Sequence, residues 1–426
     1  MPRSLKVHLQ YIEKVKLAVK QNGFARQVDL AEDLGLARST VSNFLNGKPV
    51  DYLNFYEITQ RLNLDLQTIA DFEDNSLNSE ISISDEPIQS SLSSPSNTEI
   101  SNYINRSSIE SDCYKTLIKP GSLIRIKAPK LMGKTALLND ILNYGQQNNY
   151  QTVYINLQLA DGTISQDLNK FLRWFCAVVC QQLKLTNKLS EYWEEDLGSN
   201  YNCKIYFEQY ILPKINIALV LGLDDLDRIF SSSQIASDFL GLLRVFHDEA
   251  KSYPIWQKLR LAIAHATEVY IPLNINQSPF NVGVPIELVE LTFEEVQEFA
   301  QKQGLNLQTA EIEQLINLVG GHPYLLQRAF YRLVRQEISV VELCRKATTE
   351  SGIYCNHLRG HLLNLQQYPE LEAALGEVVR SSDAVNLNPK LAYQLKSLGL
   401  VKYQGNNVVP SCELYRQYFE QYLEVK

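Results

Sequence analysis

Ile124-Arg125-Ile126-Lys127-Ala128-Pro129-Lys130-Leu131-Met132-Gly133-Lys134-Thr135-Ala136-Leu137-Leu138 is the stretch whose reading decides the fold. A short apolar strand enters a loop, and Gly133-Lys134-Thr135 opens an amphipathic helix. This is the outline of a phosphate-binding loop. Backbone N–H groups at a helix N-terminus cradle phosphate oxygens, a lysine neutralises them, and the following hydroxyl holds Mg²⁺. The full pattern G-x-x-x-x-G-K-[ST] asks for glycine where Ala128 stands. A plain strand-turn-helix containing Gly-Lys-Thr is the alternative until partner motifs are found.

Outward from that stretch, 426 residues predict about three domains at roughly 100 to 200 residues each. A net charge of −8 argues against a chain that coats nucleic acid non-specifically and leaves room for one small binding module. Seven cysteines without a C-x-x-C pair argue against a disulfide framework or zinc cluster. No run of about 18 apolar residues suggests a membrane span, and Met1-Pro2-Arg3-Ser4 leads into a charged helix instead of a signal peptide. A cytoplasmic protein with no membrane contact is expected.

Residues 1–73 read as an all-α domain. Gln27 to Leu34, then Gly35-Leu36, then Ala37 to Leu45 make two short helices across a tight turn, as in a phage-repressor helix-turn-helix. Ala31, Leu36, Val41 and Leu45 would pack inward. Arg38, Ser39, Thr40, Ser42, Asn43 and Lys48 would face double-stranded DNA, since small donors and a few cations suit base and phosphate contacts. Nine Lys/Arg against nine Asp/Glu keep a protein-docking role open for the same unit. Residues 74–102 read as a flexible linker: thirteen serines fall between residues 75 and 111, with Pro87 and Pro95.

Beyond the linker, helices alternate with the apolar strands Thr152 to Leu157, Ile217 to Leu223 and Leu259 to Ala264, as an αβα parallel sheet requires. Ile217 to Leu223 is nearly continuous in apolar residues, the mark of a strand buried on both faces, and ends in Asp224-Asp225-Leu226-Asp227-Arg228. A carboxylate at the end of such a strand lies beside the phosphate loop, which assigns Asp224 with Thr135 to Mg²⁺. Asp227 suits an acidic first helical turn. Thr292-Phe293-Glu294-Glu295 has the form of a capping box. Pro323 opens an amphipathic helix, a common place for proline. Toward the end, two helices precede Leu398 to Tyr403, a turn at Gly405-Asn406-Asn407 and Val408-Val409, the order of a winged helix.

Five stretches carry a family resemblance: Tyr103-Ile104-Asn105-Arg106, Ile126 to Thr135, Phe171-Leu172-Arg173-Trp174-Phe175-Cys176, Ile271 to Phe280, and Gly320-Gly321-His322-Pro323-Tyr324-Leu325. With them the chain resembles the cyanobacterial AAA-like family of STAND-type signalling P-loop ATPases, from about Tyr103 to the C-terminus. That family tolerates alanine at the position of Ala128. The resemblance implies an AAA-like nucleotide-binding domain over 103–290, a helical lid over 291–350 and a winged helix over 351–426 that closes over nucleotide.

It further implies ATP/ADP and Mg²⁺ as ligands. Ala128, Gly133, Lys134, Thr135 and Ala136 would contact phosphates. Tyr103, Ile104, Arg106 and Pro323 would enclose the base. Thr267 or His265 would sense the γ-phosphate, with Glu268 a weaker candidate. Lys134 and Asp225 would be catalytic, Asp225 standing where the class commonly has a water-polarising glutamate. Misplacement of about 1 Å costs on the order of 10²-fold in rate, so one methylene fewer predicts slow ATP hydrolysis.

The expected function is therefore an ATP-binding STAND-type switch, directed by the helix-turn-helix to DNA or a partner protein, with nucleotide-dependent homo-oligomerisation. The competing expectation is a transcriptional regulator or mobile-element accessory factor holding nucleotide as a structural ligand. A repeat array of the kind that serves STAND proteins as sensor is not detectable.

Overall fold

The computed structural model describes residues 4–8, 11–22, 24, 26–34, 36–62, 64, 69–71, 104, 106–266 and 279–423. The chain divides into two compact units, Met1–Glu99 with Thr349–Tyr368, and Ile100–Thr348 with Pro369–Lys426.

In the first unit, helices Ile12–Gln21, Gln27–Leu34, Arg38–Leu45 and Tyr52–Arg61 enclose a core containing Val15, Leu30, Val41, Phe44, Phe55 and Ile58. Ala31, Val41 and Leu45 are buried and Leu36 packs against them, as the sequence pattern requires. The unit is not all-α. Strand β1 (Ser4–Val7) pairs antiparallel with β2 (Val50–Asp51) and β3 (Ala70–Asp71). The cause is legible afterwards: Leu5 and Val7 alternate with polar neighbours and are both buried, the period-two pattern of a strand with one wet face.

The second unit is built on five parallel strands, β4 (Leu123–Lys127), β5 (Gln151–Asn156), β6 (Leu219–Asp224), β7 (Leu259–His265) and β8 (Val284–Glu287). Their spatial order is β5-β6-β7-β4-β8. The two central strands β6 and β7 are buried along their whole length. Ile217, expected within β6, lies before it and is exposed. Alternate residues face opposite layers: Leu219, Leu221 and Leu223 meet helices Leu168–Gln182 and Ser233–Glu249, while Val220 meets helix Lys134–Gln147 through Leu138, Ile141 and Leu142. Both faces are thus covered, as an all-parallel sheet demands. The short β8 carries Pro285 at the sheet's edge, where a missing N–H is tolerated.

Because all five strands run the same way, their carboxyl ends share one rim. Register sets Lys127 opposite His265 and Asn156 opposite Asp224. After β8 come helices Phe293–Lys302, Thr309–Val319 and Pro323–Val334. The first opens on a complete capping box between Thr292 and Glu295. Helices Pro369–Arg380 and Pro389–Ser397 lead to the antiparallel hairpin β9 (Val401–Gln404) and β10 (Asn407–Pro410), then helix Glu413–Tyr422.

Candidate functional site

The phosphate loop leaves β4 at Lys127 and re-enters regular structure at Lys134. Gly133 caps the helix in the left-handed region at φ +95°, with open space where a Cβ would stand. A side chain there would strain the turn and fill the space in front of the helix N-terminus. Ala128 is buried at the loop's start, and its N–H points to the His265 carbonyl at 3.4 Å. Its methyl fits where the sequence pattern asks for glycine. Thr135 and Ala136 are exposed in the first helical turn.

Lys134 is only 9 % exposed, and its Nζ donates to the Pro129 carbonyl at 2.8 Å. Burial pushes its pKa down, opposed by the nearby carboxylates of Asp227, Asp224 and Asp225. A cation held among three acids, with a loop carbonyl as its hydrogen-bond partner, is poised to exchange that partner for a phosphate oxygen.

Asp224 ends β6 at 1 % exposure. Its Oδ2 accepts from Thr135 Oγ1 at 2.7 Å and from Tyr154 Oη at 2.9 Å, and its Oδ1 accepts the Asp225 N–H at 2.9 Å. A hydroxyl and a carboxylate so placed are the hard oxygen donors that Mg²⁺ takes alongside water, so the residues fit that cation. Asp225 adopts a left-handed conformation at φ 52°. Burial and the Asp224 charge raise its pKa to about 6, with Lys134 and a bond from the Asn156 side chain pulling the other way. Asp227 lies in the first turn of the following helix, and its Oδ2 accepts the Ala266 N–H at 2.6 Å, tying the ends of β6 and β7.

Arg106 is 5 % exposed and reaches the carbonyls of Val289 at 2.8 Å and Met132 at 3.5 Å. It braces the phosphate loop against the segment after β8. Ile104 is half-buried, and Pro323 is buried at the first position of its helix. His265 is buried, its ring edge-on to Phe280 at 4.8 Å. Tyr103, Asn105, Thr267 and Glu268 lie outside the described residues. The C-terminal hairpin region meets the loop directly: a Cβ on Gly399 would stand 3.1 Å from the Pro129 ring, and Lys396 and Lys402 pair with Glu287 and Glu290.

The residues assigned to DNA belong to the other unit. Arg38, Ser39 and Lys48 are exposed, and Thr40, Ser42 and Asn43 are half-buried. The Ser42 carbonyl accepts the Asn46 side chain at 2.8 Å.

Three site residues escaped sequence reasoning. Tyr154 and Asn156 project from β5 toward Asp224 and Asp225, and Leu131 holds φ 65° in the loop while 49 % exposed. For Tyr154 and Asn156 the available signal was a polar side chain in the carboxyl half of a strand, useful only once β5 is known to flank β6.

The family model for the AAA-like domain matches residues 91–421. No curated protein matches the sequence. Among solved structures, the Walker-type ATPase of Pyrococcus abyssi is similar at a TM-score of 0.54 and 13 % identity, covering 74 % of this chain and 96 % of its own. Looser likenesses are the ORC2 protein of Aeropyrum pernix, at TM-score 0.43 and 14 % identity over 76 % of this chain and 97 % of that one. A STAND protein with a tetratricopeptide repeat sensor from Pyrococcus horikoshii gives 0.33 and 14 %, over 75 % of this chain and 42 % of that one. The family match spans most of the chain and every described element of the phosphate site, and the protein belongs to the AAA-like domain family.

Proposed function

We propose that this chain is a nucleotide-dependent switch of the STAND type that binds ATP or ADP with Mg²⁺ and hydrolyses ATP slowly. The observation that carries the reading is the joining of Thr135 to Asp224 at 2.7 Å beside Lys134 at the helix N-terminus. Lys134 neutralises the β- and γ-phosphates, the N–H groups of Gly133 to Ala136 cradle them, and Thr135 and Asp224 hold Mg²⁺. The cation supplies charge neutralisation at the transferring phosphoryl group. Asp225 orients the attacking water and takes its proton. A carboxylate with a pKa of about 6 suits that task better than an ordinary one, and its short stem limits the rate. Ile104 and Pro323 contribute to the base site together with Tyr103, while Arg106 acts by bracing the loop.

The output is conformational. The hairpin region touches the phosphate loop through Gly399 and Pro129, so a ligand that reshapes the loop changes how the hairpin seats. Two ligands with unequal affinity for seated and unseated forms shift that equilibrium. The helices around Arg38–Leu45 address the cytoplasmic protein to double-stranded DNA or a partner, and the ATP form assembles into homo-oligomers. Supporting a DNA address are exposed Arg38, Ser39 and Lys48. Replacing Arg38 and Lys48 together with alanine is expected to weaken duplex binding and to lower its salt slope by about two; an unchanged slope excludes this surface.

The switch itself is tested by hydrogen exchange across Val401–Pro410 with saturating ADP against a non-hydrolysable ATP analogue. Different protection is expected. Equal protection in the two states, with both nucleotides bound, removes the switch and leaves nucleotide as a structural ligand.

A further inference from the structure

Two donors converge on one oxygen of Asp224. Thr135 Oγ1 and Tyr154 Oη both donate to Oδ2, while the Asp225 N–H occupies Oδ1. Thr135 comes from the phosphate loop's own helix, whereas Tyr154 comes from the neighbouring edge strand β5. In the reading above, the Thr135 hydroxyl is needed for the cation. The donors that remain to Asp224 are the Tyr154 phenol and a backbone amide.

Tyr154 is itself held in place. Its N–H donates to Gln182 Oε1 at 2.9 Å, and its carbonyl accepts from Gln182 Nε2 at 2.6 Å. The primary amide of Gln182 thus pairs with the exposed edge of β5 as another strand would, and fixes the segment that carries the phenol. The phenol faces Asp224 Oδ2 at 2.9 Å and donates to it. A hydrogen bond to a nearly fully buried carboxyl group is costly to lose, because water cannot replace the donor.

We propose that Tyr154 is a positioning residue for Asp224, holding the carboxylate in its cation-facing orientation from the side of the sheet. This rests on the Mg²⁺–nucleotide reading of the site and adds to it a residue that acts through Asp224. The phosphate-loop helix and β5 then both donate to one oxygen of this carboxylate.

The test is nucleotide affinity of the full chain titrated with MgCl₂, read by fluorescence of a labelled ATP analogue, in wild type and Tyr154→Phe. Loss of one charge-assisted bond is expected to raise the Mg²⁺ midpoint about tenfold. Affinity in EDTA is expected to stay within error, while the melting temperature falls modestly because a buried carboxylate loses one donor. Adding Tyr154→Phe to Asp224→Asn is expected to move the midpoint no further. An unmoved or lowered midpoint in Tyr154→Phe, or an independent loss in the double variant, overturns the role of Tyr154 alone. Wild-type protein whose nucleotide binding ignores Mg²⁺ overturns the role together with the reading beneath it.

Discussion

Thr135 Oγ1 donates to Asp224 Oδ2 across 2.7 Å, joining the first turn of the phosphate-loop helix to the end of a buried strand 89 residues later in the sequence. Under the proposed function the pair gathers the cation's two protein donors before any cation is bound, which lowers the ordering cost of binding. Thr135→Ser keeps a hydroxyl at the same reach and is expected to retain Mg²⁺-dependent nucleotide binding. Thr135→Ala is expected to weaken that dependence about tenfold or more while leaving Mg²⁺-free binding intact, measured by the same titration. Equal loss in both variants would show that the methyl, and not the hydroxyl, carries the effect.

The role proposed for Asp225 carries a consequence for stability. Its carboxyl titrates at about 6 in the folded chain, above its ordinary 3.8, so the folded state holds the extra proton between those values. Stability therefore falls as pH rises through that window, and the loss is complete above about pH 6. Asp225→Asn removes this liability. Thermal melting without metal or nucleotide is expected to show the variant more stable at pH 7.5, with the gain fading as pH falls from 6 to 4, while steady-state ATP turnover is abolished and nucleotide binding persists. A variant that melts lower at pH 7.5, or turns over ATP at the wild-type rate, removes Asp225 from this role.

Leu131 sits at φ 65° with half its side chain in solvent. The left-handed region costs a β-carbon residue roughly 1–2 kcal/mol, which glycine escapes. Glycine gives back part of that gain through its freer unfolded chain. Leu131→Gly is expected to stabilise the nucleotide-free protein by up to about 1 kcal/mol in denaturant unfolding. A loss of stability would mean that the leucine makes contacts that outweigh the strain.

How much of this was legible in the sequence depends on the range of the interaction. Gly133-Lys134-Thr135 and the acids after β6 are local patterns; β6 and β7 are found because strands buried on both faces are nearly continuous in apolar residues, and β4 and β5 by shorter alternating apolar runs. The capping box at Thr292 is equally local. Strand β8 was missed because four residues with a proline carry almost no period. Strand β1 was missed because helical neighbours on every side dominated its two alternations. Tyr154 was invisible for a different reason. Its role depends on which strands are neighbours, and the order β5-β6-β7-β4-β8 places partners together that are distant in sequence. Arg106 is legible only as a cation near a phosphate site; that its guanidinium lies on two carbonyls depends on contacts distant in sequence.

The central claim is that the loop around Lys134 binds nucleotide phosphate, and calorimetric titration of the purified full chain with Mg·ATP, wild type against Lys134→Ala, tests it most directly. Lys134 rests on the Pro129 carbonyl among three acids and is expected to leave it for the phosphates. One site per wild-type chain is predicted, with affinity lost by at least about a hundredfold in the variant, since a buried charge pair is removed. Wild-type protein that takes up no nucleotide, or a Lys134→Ala protein that binds it equally well, would contradict the account.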